Sequence, residues 1–79
     1  MSREEVFEKV VEIICDVFDD DSLKITDETV AKDVEGWDSL NHLQLINEIE
    51  DEFDITFTMG EVQGFSNVGE LIDSVMNHI

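Results

Sequence analysis

The sequence predicts an all-α protein: a small antiparallel four-helix bundle with three longer helices, one short helix and a long first loop. Three stretches carry apolar residues at intervals of three and four, the spacing of a single helix face. The chain contains no proline, and its one alternating stretch, residues 54–58, has no second strand to pair with. For a chain of 79 residues we expect a single domain spanning residues 1–79.

The first helix is predicted over residues 3–18. Ser2 and Glu5 have the spacing of a capping box at its start. Cys15 lies at the edge of the apolar face and is expected to pack as a small hydrophobic residue, and a single cysteine excludes an internal disulfide. The apolar face comprises Val6, Val10, Ile13, Ile14 and Val17, with Phe7, Val11 and Phe18 beside it.

A long loop follows the first helix. Residues 19–22 are expected to be solvated. They do not begin a calcium loop, because Lys24 and Val30 stand where such a loop needs glycine and glutamate. A loop this long in so small a domain is either functional or tied down. The residues expected to hold it on the core are Leu23, Ile25, Val30 and Val34.

The second helix begins at a polar turn that organises the rest of the chain. Gly36 permits the turn. Asp38 stands at the expected N-cap, where its carboxylate can accept the backbone N–H of Leu40 or Asn41. Ser39 then occupies the first helical position, so we expect its hydroxyl to be exposed beside the positive end of the helix dipole.

This second helix is predicted to run from Ser39 to about Phe53. Trp37, one position outside the cap, is expected to pack on His42 or Leu43 as a hydrophobic staple. The residues predicted to face the core are Leu43, Ile46, Ile49 and Phe53, with Leu45 on the shoulder.

The next segment is predicted to be a linker and a short helix. Residues 54–58 form the linker, with Phe57 inside. Residues 59–63 form a short helix that Gly60 and Gly64 weaken, by about 1 kcal/mol for each glycine in a helix interior.

The last helix is predicted to end near Asn77. Phe65 precedes it as an anchor, and either Ser66 or Asn67 caps it, with Glu70 at the capping-box distance from Asn67. Its apolar stripe comprises Val68, Leu71, Ile72, Val75 and Met76.

The tripeptide Asp38-Ser39-Leu40 at a helix start resembles the attachment site of the acyl carrier proteins. The resemblance extends over essentially the whole chain. It includes Leu43, Leu45, Ile46, Ile49, the run from Glu50 to Phe53, and Phe57, Phe65, Val68 and Ile72. It implies that Ser39 receives 4′-phosphopantetheine from coenzyme A through a phosphopantetheinyl transferase, with Asp38 and Leu40 beside the attachment point.

The net charge of the chain limits the classes of partner that it is expected to bind. The formal net charge is −17, and every Lys and Arg lies within the first 32 residues. Nucleic acid and anionic membranes need positive charge opposite them, so neither is expected as a partner. Basic protein surfaces are the natural complement.

The resemblance implies that acyl-loading and acyl-processing enzymes with basic docking surfaces recognise this acidic protein. The residues predicted to take part are Asp38, Leu40, Glu48, Asp51 and Glu52. Relatives in fatty acid synthesis usually carry acids where this chain has Asn41 and Gln44, so its partner enzymes are expected to differ.

The implied function is that of a discrete carrier, a cytoplasmic monomer without catalytic or metal-binding residues, which holds acyl groups as thioesters for fatty acid, polyketide or related specialised biosynthesis. The alternatives are an unmodified acidic interaction module and a peptidyl carrier. A hydrolase built on Ser39 and His42 is disfavoured, because the sequence has no nucleophile elbow around the serine.

Overall fold

Every regular element in residues 2–20 and 23–79, the part of the chain that the computed structural model describes, is a helix. The predicted all-α class and its four helices are confirmed, and none of the described helices is long and apolar enough to cross a membrane. Asp21 and Ser22, part of the loop predicted to be solvated, lie outside the described residues. The elements are α1 (Arg3–Phe18), a 3₁₀ helix (Ala31–Asp33), α2 (Ser39–Phe53), α3 (Met59–Gly64) and α4 (Val68–His78).

The helix boundaries follow from their caps. The Glu5 N–H donates to Ser2 Oγ, and the Ser2 N–H donates to Glu5 Oε1, both across 3.2 Å, so the predicted capping box starts α1. Asn67, rather than Ser66, caps α4, because its Oδ1 accepts the N–H of Glu70 at 2.9 Å. The 3₁₀ helix in the first loop was not predicted.

The core lies where α1 packs against α2 and α4. Phe57 is buried in it, as predicted for the linker between α2 and α3. The buried apolar cluster consists of Val6, Val10, Ile13, Ile14, Leu45, Ile46, Ile49, Phe57, Val68, Leu71, Ile72 and Val75.

The prediction for Leu43 was wrong. Its side chain is 53% exposed, whereas Leu45, predicted for the shoulder of α2, is completely buried. The reason is the helix period. At about 100° per residue, Leu43 lies about 120° from Ile49 and about 160° from Leu45 around the axis of α2. Leu45, Ile46 and Ile49 define the buried face, and Leu43 lies about 60° beyond Ile46, outside that face.

The first loop is fastened to the start of α4. The N–H of Val68 donates to the Thr29 carbonyl at 2.9 Å, and the N–H of Gly69 donates to the Asp27 carbonyl at 2.8 Å. These loop carbonyls satisfy helix N–H groups that have no acceptor within the helix. Val34, further along the loop, is buried. These contacts therefore fix the position of the loop that leads into α2.

Candidate functional site

A tight turn leads into α2. Gly36 has a φ of +88°, a backbone conformation that glycine adopts at little cost, and this bears out its predicted role. The Trp37 N–H donates to the Val34 carbonyl at 3.3 Å, and the Asp38 N–H donates to the Gly36 carbonyl at 2.9 Å. Because Val34 is buried, the turn is anchored on the core, and α2 starts in a defined direction.

Asp38 is the N-cap of α2. Its Oδ1 accepts the N–H of Asn41 at 2.9 Å. Of the two donors predicted for this cap, Leu40 and Asn41, the structure therefore uses Asn41. Ser39 follows as the first residue of the helix, with an exposed side chain, and Leu40 is 75% exposed. The three residues of the Asp38-Ser39-Leu40 motif therefore stand together at the solvent-facing, positive end of the α2 dipole.

Asn41 has a structural role that the sequence did not reveal. Its side-chain amide Nδ2 donates to the Gly36 carbonyl at 2.7 Å and ties the first turn of α2 to the turn that precedes it. A carboxylate has no hydrogen to donate in this position. The neutral side chain of Asn41 is therefore part of the hydrogen bonding of the turn before α2.

His42 connects three segments. Trp37 Nε1 donates to His42 Nδ1 at 3.1 Å, so the predicted contact of Trp37 with His42 is confirmed. The other ring nitrogen, Nε2, is 3.1 Å from the carbonyl oxygen of Val62 in α3. Both nitrogens therefore have partners, and neither is left to take a proton from Ser39, which argues against a nucleophile–base pair.

A groove between α2 and α3 opens beside Ser39. Its volume is about 700 Å³, and most of its lining is apolar. Leu43 and Met59 are large apolar residues of its wall that are 53% and 73% exposed. The deeper wall includes Val62 and Phe65, both partly buried against the core. An apolar surface of this size directly beside an exposed serine is a place where a group tethered to that serine can rest.

The acidic residues predicted for partner recognition fall into two separate places. Asp38 is beside Ser39, whereas Glu48, Asp51 and Glu52 are exposed farther along α2. At about 1.5 Å per residue, this second group lies about 14–20 Å along the helix from Ser39.

Within the residues that the structure describes, no three His, Cys, Asp or Glu side chains are arranged to hold a metal ion.

The chain matches known proteins over most of its length. A family profile described as phosphopantetheine attachment site matches residues 8–75. The chain belongs to the acyl carrier protein family. It is 38% identical to an acyl carrier protein of Clostridium acetobutylicum over 73 residues, which is 92% of this chain and 95% of that protein. It is 43% identical to an acyl carrier protein of Streptococcus thermophilus over 67 residues, which is 85% of this chain and 86% of that one.

A solved structure agrees in fold. The solution structure of a holo acyl carrier protein from Geobacter metallireducens has a TM-score of 0.86 and 42% sequence identity, and the match covers 92% of this chain and 84% of that one. The family resemblance and the prosthetic group it implied, 4′-phosphopantetheine, are thereby confirmed. Acyl carrier proteins present a bound group to enzymes and are carriers rather than catalysts.

Proposed function

We propose that this protein is a discrete acyl carrier, one carrier domain that holds acyl groups on a 4′-phosphopantetheine arm attached to Ser39. The observation that carries the proposal is the position of Ser39. It is the exposed first residue of α2, directly after the Asp38 cap, within the residues that the family profile matches and on the rim of an apolar groove. When bound, the arm supplies the thiol that carries the acyl group as a thioester.

The residues around Ser39 suit a phosphate on its hydroxyl. The first N–H groups of a helix have no intrahelical acceptor, and the dipole favours negative charge there. Asp38 binds the N–H of Asn41, which leaves the N–H groups of Ser39 and Leu40 for a phosphate oxygen. Asp38 thus holds the helix start in shape, while Ser39 provides the only side-chain oxygen needed for attachment.

We further propose two contact regions for partner enzymes. Exposed Leu40 and Leu43 give an apolar contact beside the attachment point, with the charge of Asp38 next to them. The acidic group Glu48, Asp51 and Glu52 gives a second, charged contact along the same helix. In a chain of net charge −17, basic surfaces of a phosphopantetheinyl transferase and of acyl-handling enzymes are complementary, and charge acts mainly on the rate of encounter.

As to pathway, we propose a specialised cytoplasmic carrier acting as a monomer rather than one dedicated to ordinary fatty acid synthesis. Support comes from the first two turns of α2, where Asn41 and Gln44 are neutral. A fatty acid malonyl transferase should load the Asn41→Asp, Gln44→Glu double variant faster than the parent. Equal rates for both proteins would remove this argument and leave the carrier proposal unaffected.

The deciding experiment is intact mass spectrometry. The protein is incubated with coenzyme A, Mg²⁺ and a broad-specificity phosphopantetheinyl transferase, alongside Ser39→Ala and Ser66→Ala. Ser66 is the matched control, because it is also an exposed serine close to the start of a helix, two positions before α4. We expect the parent and Ser66→Ala to gain one phosphopantetheine and Ser39→Ala to gain none.

The same experiment distinguishes the alternative. A folded parent protein that gains nothing with several transferases would favour an unmodified acidic interaction module. The Asp38-Ser39-Leu40 motif would then be a helix cap only. Gain on Ser39→Ala would place the attachment at another residue.

A further inference from the structure

The imidazole of His42 makes a pair of hydrogen bonds that only its neutral form allows. The indole nitrogen of Trp37 can only donate, so His42 Nδ1 accepts from it at 3.1 Å. The Val62 carbonyl can only accept, so His42 Nε2 carries the ring hydrogen and donates it across 3.1 Å. A proton added to the ring goes to Nδ1, where it faces the N–H of Trp37. Two donors cannot bond each other, so the protonated ring keeps Val62 and loses Trp37.

Trp37 belongs to the turn that presents Ser39. Its backbone N–H donates to the Val34 carbonyl at 3.3 Å. Its indole ring stacks on His42, with centroids 6.2 Å apart and planes at 28°, and lies 5.2 Å from the ring of Phe18 at the end of α1. The hydrogen bond to His42 uses the one polar atom of the indole. Neutral His42 therefore fixes the side chain that stands two positions before Ser39.

The charged residues on the elements around His42 are mostly acidic. Asp38 lines the same groove as His42, and its Oδ1 accepts the N–H of Asn41 at 2.9 Å. Residues 65–67, which bring Phe65 edge-on to the imidazole at 6.4 Å, are uncharged. Acids favour a positive charge in their vicinity, so what opposes a proton on His42 is its contact with Trp37. The remaining charged residues are at the end of α1, in the 3₁₀ helix and the turn after it, in α3 and in the first turn of α4: Asp19, Lys32, Asp33, Glu35, Glu61 and Glu70.

We infer that His42 is a positioning residue for the modification of Ser39, and that it acts only while its imidazole is neutral. The inference rests on the proposed attachment at Ser39. Through Trp37, neutral His42 holds the turn at the start of α2, so that Ser39 meets the transferase in one arrangement. When Nδ1 takes up a proton in acid, Trp37 loses its partner, the turn gains freedom and modification slows.

The first test follows the Trp37 indole N–H by NMR in the apo protein, from about pH 7.5 to about pH 5.5. Over this range histidines ordinarily take up a proton, at about pH 6.5, while most carboxylates stay ionised. The sequence has one tryptophan and two histidines, so the indole signal is unambiguous and His78→Gln removes the other imidazole. We expect the signal to shift with pH in the parent and in His78→Gln. It should stay in place in His42→Gln, whose amide can accept from Trp37 and donate to Val62 at every pH.

The second test measures, by intact mass, how fast a broad-specificity phosphopantetheinyl transferase modifies each protein with coenzyme A and Mg²⁺. For each protein the rate at about pH 5.5 is divided by its own rate at about pH 7.5, so the pH dependence of the transferase is common to all. This ratio should be several times lower in the parent and in His78→Gln than in His42→Gln and Trp37→Phe. His42→Gln keeps the contact at both pH values, and Trp37→Phe, which has no indole N–H, lacks it at both.

Two results would overturn the inference: one ratio common to all four proteins, or an indole signal that does not move in the parent or moves equally in His42→Gln. Failure of attachment at Ser39 is seen separately, because the parent then gains no mass at either pH, whereas the NMR test needs no arm. If His42→Gln does not fold, Trp37→Phe decides the rate test. The indole shift in His78→Gln must then follow the ring signals of His42.

Discussion

The amide N–H of Gly69 donates to the carbonyl oxygen of Asp27 across 2.8 Å, and this contact leaves little room for a side chain at position 69. A Cβ on Gly69 would lie 3.0 Å from that oxygen and 3.2 Å from Asp27 Cβ. The close approach of loop and helix explains why a glycine stands in the first turn of α4. The same contact holds the loop that leads to Ser39.

Substituting Gly69 by Ala should therefore destabilise the protein. Overpacking against the loop backbone should lower the free energy of unfolding by about 1–2 kcal/mol, because the Asp27 carbonyl has to move. In a domain of this size, 1 kcal/mol corresponds to a change of about 4–8 °C in melting temperature. Thermal unfolding followed by circular dichroism measures it.

Gly60 provides the matched control. It is the second residue of α3, as Gly69 is of α4, but a Cβ there would meet only Thr58 Oγ1, at 4.0 Å. Gly60→Ala should stabilise by about 0.5–1 kcal/mol, because alanine is the better helix former. Equal effects of the two substitutions would show that the Gly69–Asp27 contact does not limit the side chain at position 69.

Arg3 fastens the same loop from the other side. Its Nη1 lies 3.0 Å from Asp27 Oδ2, and its Nε donates to Asp73 Oδ1 at 3.1 Å, so one guanidinium joins α1, the loop and α4. Arg3→Gln should lower the melting temperature more than Lys32→Gln, which removes an equal charge from an exposed position in the 3₁₀ helix.

The dependence on salt distinguishes the stabilisation that comes from the ion pairs of Arg3 from the stabilisation that comes from its packing. Ionic screening shortens the Debye length from about 10 Å at 0.1 M to about 3 Å at 1 M. The difference between Arg3→Gln and Lys32→Gln should shrink in concentrated NaCl, while the melting temperature of the parent rises because repulsion within a chain of charge −17 is screened. A difference that is unchanged by salt would assign the effect of Arg3 to packing.

Asn41 can be tested in the same paired way. Its amide donates to the Gly36 carbonyl at 2.7 Å, whereas Asn47 on the same helix is exposed. Asn41→Ala should be less stable than Asn47→Ala by about 0.5–1.5 kcal/mol, the usual net contribution of one hydrogen bond. Both variants replace asparagine by alanine in α2, so the gain in helix propensity cancels when they are compared. Urea unfolding of the two variants gives the difference, and equal midpoints would contradict the proposed role of Asn41.

Much of the fold could be predicted because its signals are local. The predicted start and end of α2 match the structure, since a cap and an apolar period are properties of neighbouring residues. The same reasoning placed Asp38 as a cap and Ser39 as an exposed residue. The error at Leu43 was avoidable, because the angles around α2 already separate it from Ile49.

The parts that sequence did not reveal depend on distant partners. Arg3 and Asp73 are 70 positions apart, and His42 and Val62 are 20 apart, so no local pattern reports either contact. One signal for His42 was present: it lies only about 20° from Ile49 around the axis of α2, on the buried face, where a polar residue needs partners. Its two bonds supply them.

The last prediction concerns Glu61, which closes the start of α3 and joins it to α4. Its Oε1 accepts the Thr58 N–H at 2.9 Å, and its Oε2 lies 2.9 Å from His78 Nε2. The Thr58 N–H, and after it the His78 side chain, hold the pKa of Glu61 below its ordinary value. Near that value, the folded protein therefore binds fewer protons at Glu61 than the unfolded chain does.

A lowered carboxyl pKa stabilises the folded state above the ordinary pKa of about 4.3, and the contribution is lost as the pH falls through the lower, folded value. Glu61→Gln keeps an oxygen for Thr58 but cannot ionise. The melting temperature of the parent should exceed that of Glu61→Gln at about pH 6.5, and the gap should narrow as the pH falls below the ordinary pKa of about 4.3.

Glu12→Gln is the control for this comparison, because it removes one exposed acid from α1 and relieves the same general repulsion. Subtracting the change in melting temperature caused by Glu12→Gln leaves the part of the Glu61→Gln change that comes from the contacts of Glu61 with Thr58 and His78. A gap between parent and Glu61→Gln that is constant from about pH 6.5 to about pH 3 would mean that these contacts do not favour the ionised carboxylate. A gap that narrows would show that the contacts of Glu61 with Thr58 and His78 stabilise the protein less as the pH falls.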